Sequence, residues 1–208
     1  NDAKACNRLG MALLLGFGVE QDEARAAKLF HKACELADGF GCDNYAYTTE
    51  DREERRARLQ KGCDLSYGKS CGSLAADLTL WNLDKPRALA LFQRACELGV
   101  GKHCFELAEH YRKGTLGVLD GTRAGKLVVR ACDLDHMDAC FVLGNGQVDS
   151  DRPGAIRMFT KACGTVAPGQ GDLDKLPSGP ACVALAALQV DGKEARRLLA
   201  RGCQFGSE

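Results

Sequence analysis

Apolar positions along this chain fall into two alternating helical registers, each counted from a cysteine. In one register they lie eight, five, four and one positions before it: Ala26, Leu29, Phe30 and Ala33 before Cys34, Ala88, Leu91, Phe92 and Ala95 before Cys96, Ala155, Met158, Phe159 and Ala162 before Cys163. Those offsets trace one stripe of a helix with 3.6 residues per turn. A basic residue two positions before the cysteine, such as Lys32, Arg94 or Lys161, marks the edge of the stripe, and Arg55 is the one departure from alanine at the eighth position. The other register follows a cysteine, with a large residue three positions on and a small one next to it: Leu9–Gly10, Tyr45–Ala46, Leu74–Ala75, Leu107–Ala108, Leu143–Gly144 and Leu185–Ala186. A large residue beside a small one suits a helix that another helix approaches closely, so both positions are expected to be buried. The helix that follows a cysteine is called A here, and the one that leads into a cysteine B.

From Cys6 to Cys203 the two registers alternate through six A–B units. The leading cysteines Cys34, Cys63, Cys96, Cys132, Cys163 and Cys203 are 29 to 40 residues apart, a period that means stacked helix pairs. Four times the trailing cysteine comes eight residues after the leading one, across a turn-like stretch such as Ala37–Gly41. Uniform repeats argue for one elongated domain over 1–208 with a continuous core, all-α, rather than two unlike domains.

The double pattern resembles the Sel-one-like repeat family, and within it the cysteine-rich bacterial branch first described from Helicobacter. The likeness rests on C-x-x-L-A at the start of helix A and on A-x-x-x-L-F-x-K-A-C-E-L through helix B, clearest in Ala26–Leu36 and Ala88–Leu98. The resemblance implies a right-handed αα-hairpin solenoid in which a disulfide joins each B helix to the next A helix. Combined with the register, this predicts bridges Cys34–Cys42, Cys63–Cys71, Cys96–Cys104, Cys132–Cys140 and Cys163–Cys182. Cys6 and Cys203 are left over and are expected to be free thiols, as in a piece cut from a longer array. The resemblance also implies a history of penicillin-binding and weak β-lactamase assignments, and a mitochondrial branch that acts in respiratory-complex assembly.

Composition narrows the function. Twelve cysteines with no C-x-x-C exclude the usual zinc spacing and point to an oxidising compartment: periplasm or cell exterior, with the mitochondrial intermembrane space as the alternative. The chain opens on Asn1 with no apolar leader, so any signal peptide is expected to have been removed or to lie upstream. With 28 basic and 28 acidic side chains there is no electrostatic footprint for nucleic acid. No apolar run approaches the roughly 20 residues that span a bilayer, so no membrane insertion is expected.

Candidate chemistry is sparse. Ser66-Tyr67-Gly68-Lys69 matches S-x-x-K, but no S-D-N or K-T-G follows, so no catalytic residue is assigned. His31, His103, His110 and His136 are scattered over separate repeats or two turns apart, so no metal site and no cofactor are expected. Two features interrupt the repeat: the Pro- and Gly-rich connection 164–181, which reads as a tolerated insertion or a binding element, and Trp81, expected to pack on a neighbour. What remains is a non-catalytic, monomeric scaffold that holds a peptide or a partner protein on its concave face, which the resemblance to the Sel-one-like repeat family implies is lined by the A helices. There the second, fifth and sixth positions after the cysteine are expected to face solvent, which selects Arg8, Asn44, Tyr47, Asp77, Glu106, Glu109 and His110.

Overall fold

The computed structural model describes residues 2–164, 177–188 and 192–204. Among them the chain forms twelve α-helices and no strand. The A helices are α1 (Ala3–Leu15), α3 (Gly39–Ala46), α5 (Gly68–Leu80), α7 (Gly101–Lys113), α9 (Met137–Gln147) and α11 (Gly179–Leu188). The B helices are α2 (Glu23–Glu35), α4 (Arg52–Asp64), α6 (Lys85–Glu97), α8 (Gly121–Asp133), α10 (Arg152–Cys163) and α12 (Gly192–Gln204). They group into two compact units, Asn1–Val100 with α1–α6 and Gly101–Glu208 with α7–α12. Inside each unit the closest packing is between A and B of one hairpin, followed by B against the next A.

The B helices begin alike. Asp22, Asp51, Asp84, Asp120 and Asp151 are N-caps whose Oδ1 accepts from the backbone N–H three residues on, at 2.8 to 3.0 Å. Each satisfies an N–H that a helix start leaves open and is worth about 1 kcal/mol. All five sit twelve positions before the leading cysteine, a repeat-wide signal that the apolar register alone overlooks.

Four of the B helices also end alike. The residue three positions after the leading cysteine is left-handed, with φ of 61° at Ala37, Ser66 and Asp135 and 85° at Gly99. The next residue turns back, Asp38 N–H to Ala33 O at 3.0 Å, Tyr67 to Gly62 at 3.0 Å, Val100 to Ala95 at 3.2 Å and His136 to Ala131 at 3.0 Å. This is a Schellman turn. Asp38, Tyr67 and His136 are at the same time the N-caps of α3, α5 and α9. One residue thus ends a B helix and starts an A helix, which brings the two flanking cysteines together. The bridges Cys34–Cys42, Cys63–Cys71 and Cys132–Cys140 close across these connections, and Cys163–Cys182 across the longer one that follows α10, with Cα–Cα distances of 4.4 to 4.7 Å. Cys96 and Cys104 are also in disulfide form, while Cys6, half-buried, and Cys203, exposed, carry free thiols.

The core is a row of small and large residues in the predicted register. Ala26, Ala88 and Ala155 are fully buried eight positions before their cysteines, as are Ala33, Ala95 and Ala162 immediately before them. Phe30, Phe92 and Phe159 fill the space between helices. A Cβ on Gly10 would come within 2.7 Å of the Phe30 ring and one on Gly144 within 2.5 Å of the Phe159 ring, so these two hairpins need glycine where the others have alanine.

The A-helix register needs one correction. The small position is buried in all six repeats, but the large position is fully buried only at Leu74, Leu107 and Leu185, and Leu9 is 44% exposed.

The second hairpin departs most from the pattern. Helix α3 has eight residues where α1 and α5 have thirteen, and α4 carries arginine in the stripe. Arg58 lies 3.5 Å above the Tyr45 ring and donates Nη1 to Tyr45 O at 2.8 Å, while Arg55 donates Nη2 to Thr49 O at 3.1 Å. Both guanidinium groups thus bond backbone carbonyls of the short A helix and its turn, and Arg58 also pairs with Glu54. Trp81 is not a core residue: it caps α5, is 43% exposed, and is covered by the Arg52 guanidinium at 3.6 Å.

Candidate binding surface on the A helices

In the first unit α3 touches both α1 and α5, so the three A helices form one surface. Its polar residues are linked across the repeats. Asn44 Nδ2 donates to Asn7 Oδ1 at 2.8 Å, Ser70 Oγ to Asp43 Oδ1 at 2.8 Å, and Tyr47 Oη to Ser73 Oγ at 3.0 Å. Asn7, Asp43 and Ser70 are buried, so these bonds satisfy groups that would be costly to leave unpaired between helices. The periodicity gave no hint of this ladder, because Asn7 and Asp43 stand at positions that are apolar in other repeats, such as Phe105 and Phe141.

The residues selected from sequence separate into two groups. Arg8 and Tyr47 are exposed. Asn44, Asp77, Glu106, Glu109 and His110 are only partly exposed, each with a partner inside its own unit. Asp77 is paired with Arg56 of α4, and its side chain is 13% exposed. Glu106 Oε2 lies 2.7 Å from His103 Nδ1, and His110 Nδ1 lies 2.7 Å from Thr115 Oγ1. Glu109 accepts from Arg112 Nη2 at 2.7 Å and contacts Lys113 Nζ at 2.9 Å; the Arg112 bond leads in holding its carboxyl down at about 2. His110 is pushed below the ordinary imidazole value, chiefly by its burial.

A cleft of about 530 Å³ opens at the N-terminal end of the first unit's A helices, lined by Lys4, Asn7 and Arg8 of α1, by Ala37–Phe40 and by Leu65–Tyr67. Phe40 and Tyr67 stack along its wall with ring centroids 5.4 Å apart. The volume is in the range of small-ligand and peptide side-chain pockets. Ser66 of the S-x-x-K match lines the cleft from the left-handed turn, outside α5, while Lys69 is inside that helix.

Among the described residues no cluster of three or more His, Cys, Asp or Glu side chains could hold a metal ion, and no helix is long and apolar enough to cross a membrane. Of the Pro- and Gly-rich connection 164–181, residues 165–176 lie outside the described residues, while Gly179, Pro180 and Ala181 are already the first turn of α11 rather than loop.

This architecture is shared with solved structures. A Sel1 repeat protein from Oxalobacter formigenes superposes with a TM-score of 0.79 at 20% identity, over 98% of this chain and 88% of that one. A protective antigen of uropathogenic Escherichia coli strains with an SLR fold gives 0.72 at 19% identity, over 97% of this chain and 46% of that one. The cysteine-rich protein B of Helicobacter pylori gives 0.51 at 28% identity, over 61% of this chain and 98% of that one. No curated protein sequence matches. The family described as Sel1 repeat matches residues 3–38, 81–100, 104–136 and 139–163, more than half of the chain; the chain belongs to the Sel1 repeat family.

Proposed function

We propose that this chain is a non-catalytic scaffold that holds a peptide or a partner protein on the surface of its A helices, in the periplasm or outside a bacterial cell. The observation that carries the reading is the division of labour between the two helix types. The basic residue near the end of α4 and of α10 ties its repeat to the preceding one: Lys61 Nζ reaches Glu35 at 2.8 Å, and Lys161 Nζ reaches Cys132 O at 2.7 Å and Asp135 at 3.2 Å. The A helices, by contrast, combine a fixed polar ladder with the exposed Tyr47 and an open cleft. Preorganised polar groups beside exposed aromatics are what a recognition surface needs. Sel1 repeat proteins generally mediate protein interactions, and the disulfides suit an oxidising compartment. The bacterial origin of the three solved neighbours supports the periplasm over the mitochondrial intermembrane space.

The test compares two sets of surface changes against the native partner. Tyr47→Ala with Glu106→Lys and Glu109→Lys on the A helices should reduce partner capture by tenfold or more. Lys28→Glu with Lys126→Glu, at exposed positions of α2 and α8, should leave it unchanged. Equal loss from both sets, or loss only from the B-helix set, would move the site off the A helices.

A further inference from the structure

We infer that the cleft between α1 and the two turns that follow it reads an acidic residue in an extended peptide, next to an aromatic or large aliphatic side chain. The inference rests on the scaffold reading and names the ligand class for one part of that surface.

Three sets of groups in the cleft lack something that such a peptide supplies. Lys4 and Arg8 are both exposed, stand one helical turn apart on α1, and have no ion-pair partner among the described residues. Two cations four residues apart on one helix repel each other, and a carboxylate between them relieves that repulsion, with arginine able to grip both oxygens. Asn7 is 3% exposed, and its Oδ1 is used by Asn44, while its amide N–H groups have no protein acceptor among the described residues. This amide lies at the cleft and is available as a donor to a ligand carbonyl. Asp38 contributes the opposite need: its Oδ2 is buried without a hydrogen-bond partner, and its side chain does not cap α3 although it stands at the N-cap.

An extended peptide has a backbone N–H for Asp38, a backbone C=O for Asn7 and, if the residue is Asp or Glu, a carboxylate for Lys4 and Arg8. The apolar wall formed by Phe40, 41% exposed, and Tyr67 then takes the neighbouring side chain. A free phosphate or a polyanion fits less well, because the Asp38 carboxylate faces the same space and only two cations oppose it.

The experiment is selection of a phage-displayed library of linear heptapeptides on the disulfide-intact protein, with a Lys4→Glu/Arg8→Glu variant in parallel. Both changes are at exposed positions, and circular dichroism checks that helix content is kept. The expected result is enrichment of sequences with Asp or Glu next to Phe, Tyr or Leu. A fluorescein-labelled peptide from the leading clone should bind the double variant at least tenfold more weakly. Absence of enrichment, enrichment of sequences without an acidic residue, or equal affinity for both proteins would overturn the inference. Peptides that still bind the double variant but lose affinity for the Tyr47→Ala, Glu106→Lys, Glu109→Lys protein would overturn the cleft alone and leave the scaffold reading in place.

Discussion

The left-handed residue at the end of four of the B helices shows most directly how a single position carries the repeat. Only Gly99 of the four has the side chain this conformation favours; Ala37, Ser66 and Asp135 adopt it against a cost of about 1–2 kcal/mol for a residue with a Cβ. The turn forces it, since the Schellman bonds and the bridge on either side leave no other path. Ala37 is exposed, so Ala37→Gly should raise stability by about 0.5–1 kcal/mol, after the extra flexibility of glycine in the unfolded chain is counted. Gly99→Ala should lower it by about the same amount. Urea denaturation of the two variants checks both signs, and a loss in Ala37→Gly would contradict the strain argument. This conformation was not legible in the sequence, because three of the four residues are not glycine. The aspartate N-caps were legible, at a constant distance from each cysteine, but an apolar pattern does not register them.

At the level of the helix pair, the sequence foretold the pairing of small and large residues well and the outward-facing positions less well. Packing of Gly10 against Phe30 and Gly144 against Phe159 follows directly from a small residue in helix A and an aromatic in helix B. Both rings are almost completely buried, 0% and 1% exposed, so neither can swing away from an added methyl group. Gly144→Ala and Gly10→Ala are therefore each expected to destabilise the protein by about 1–3 kcal/mol, even though alanine is the better helix former. Thermal melts that showed either variant as stable as the parent would mean that the hairpin opens more easily than its packing indicates. The outward positions were harder to foresee for a specific reason. Asp77, Glu106 and Glu109 follow the solvent-facing spacing, yet Arg56, His103 and the Arg112–Lys113 pair draw them back against the protein. Charge partners three or four residues away, or on the adjoining helix, change exposure without leaving a mark on periodicity.

For the molecule as a whole, the repeat and its all-α class could be read from the cysteine register, because that register combines helix phase with turn length. The polar ladder of α1, α3 and α5 could not, since it depends on which side chains meet between repeats. The grouping of the chain into units on either side of Val100 and Gly101 also leaves no trace, as the register runs on through Cys96 and Cys104. The staples contribute at this scale. Closing a loop of eight residues removes unfolded-state freedom worth about 2.5 kcal/mol, and closing the nineteen between Cys163 and Cys182 about 3 kcal/mol. Replacing Cys63 and Cys71 by serine should thus cost about 2–4 kcal/mol by chemical denaturation, and a cost near zero would show that the turn alone holds its geometry. The placement of the bridges has a mechanical consequence as well. Stretched from its two ends, a chain with a sulfur link across every such turn yields in its unlinked A-to-B loops and helices, while the segment inside each link bears no load. The eight residue steps from Cys34 to Cys42 would extend to roughly 28 Å, but the Cα atoms of the two cysteines stay 4.4 Å apart. Each bridge between cysteines eight positions apart therefore withholds a fixed length of about 24 Å that force alone does not release and a reductant does.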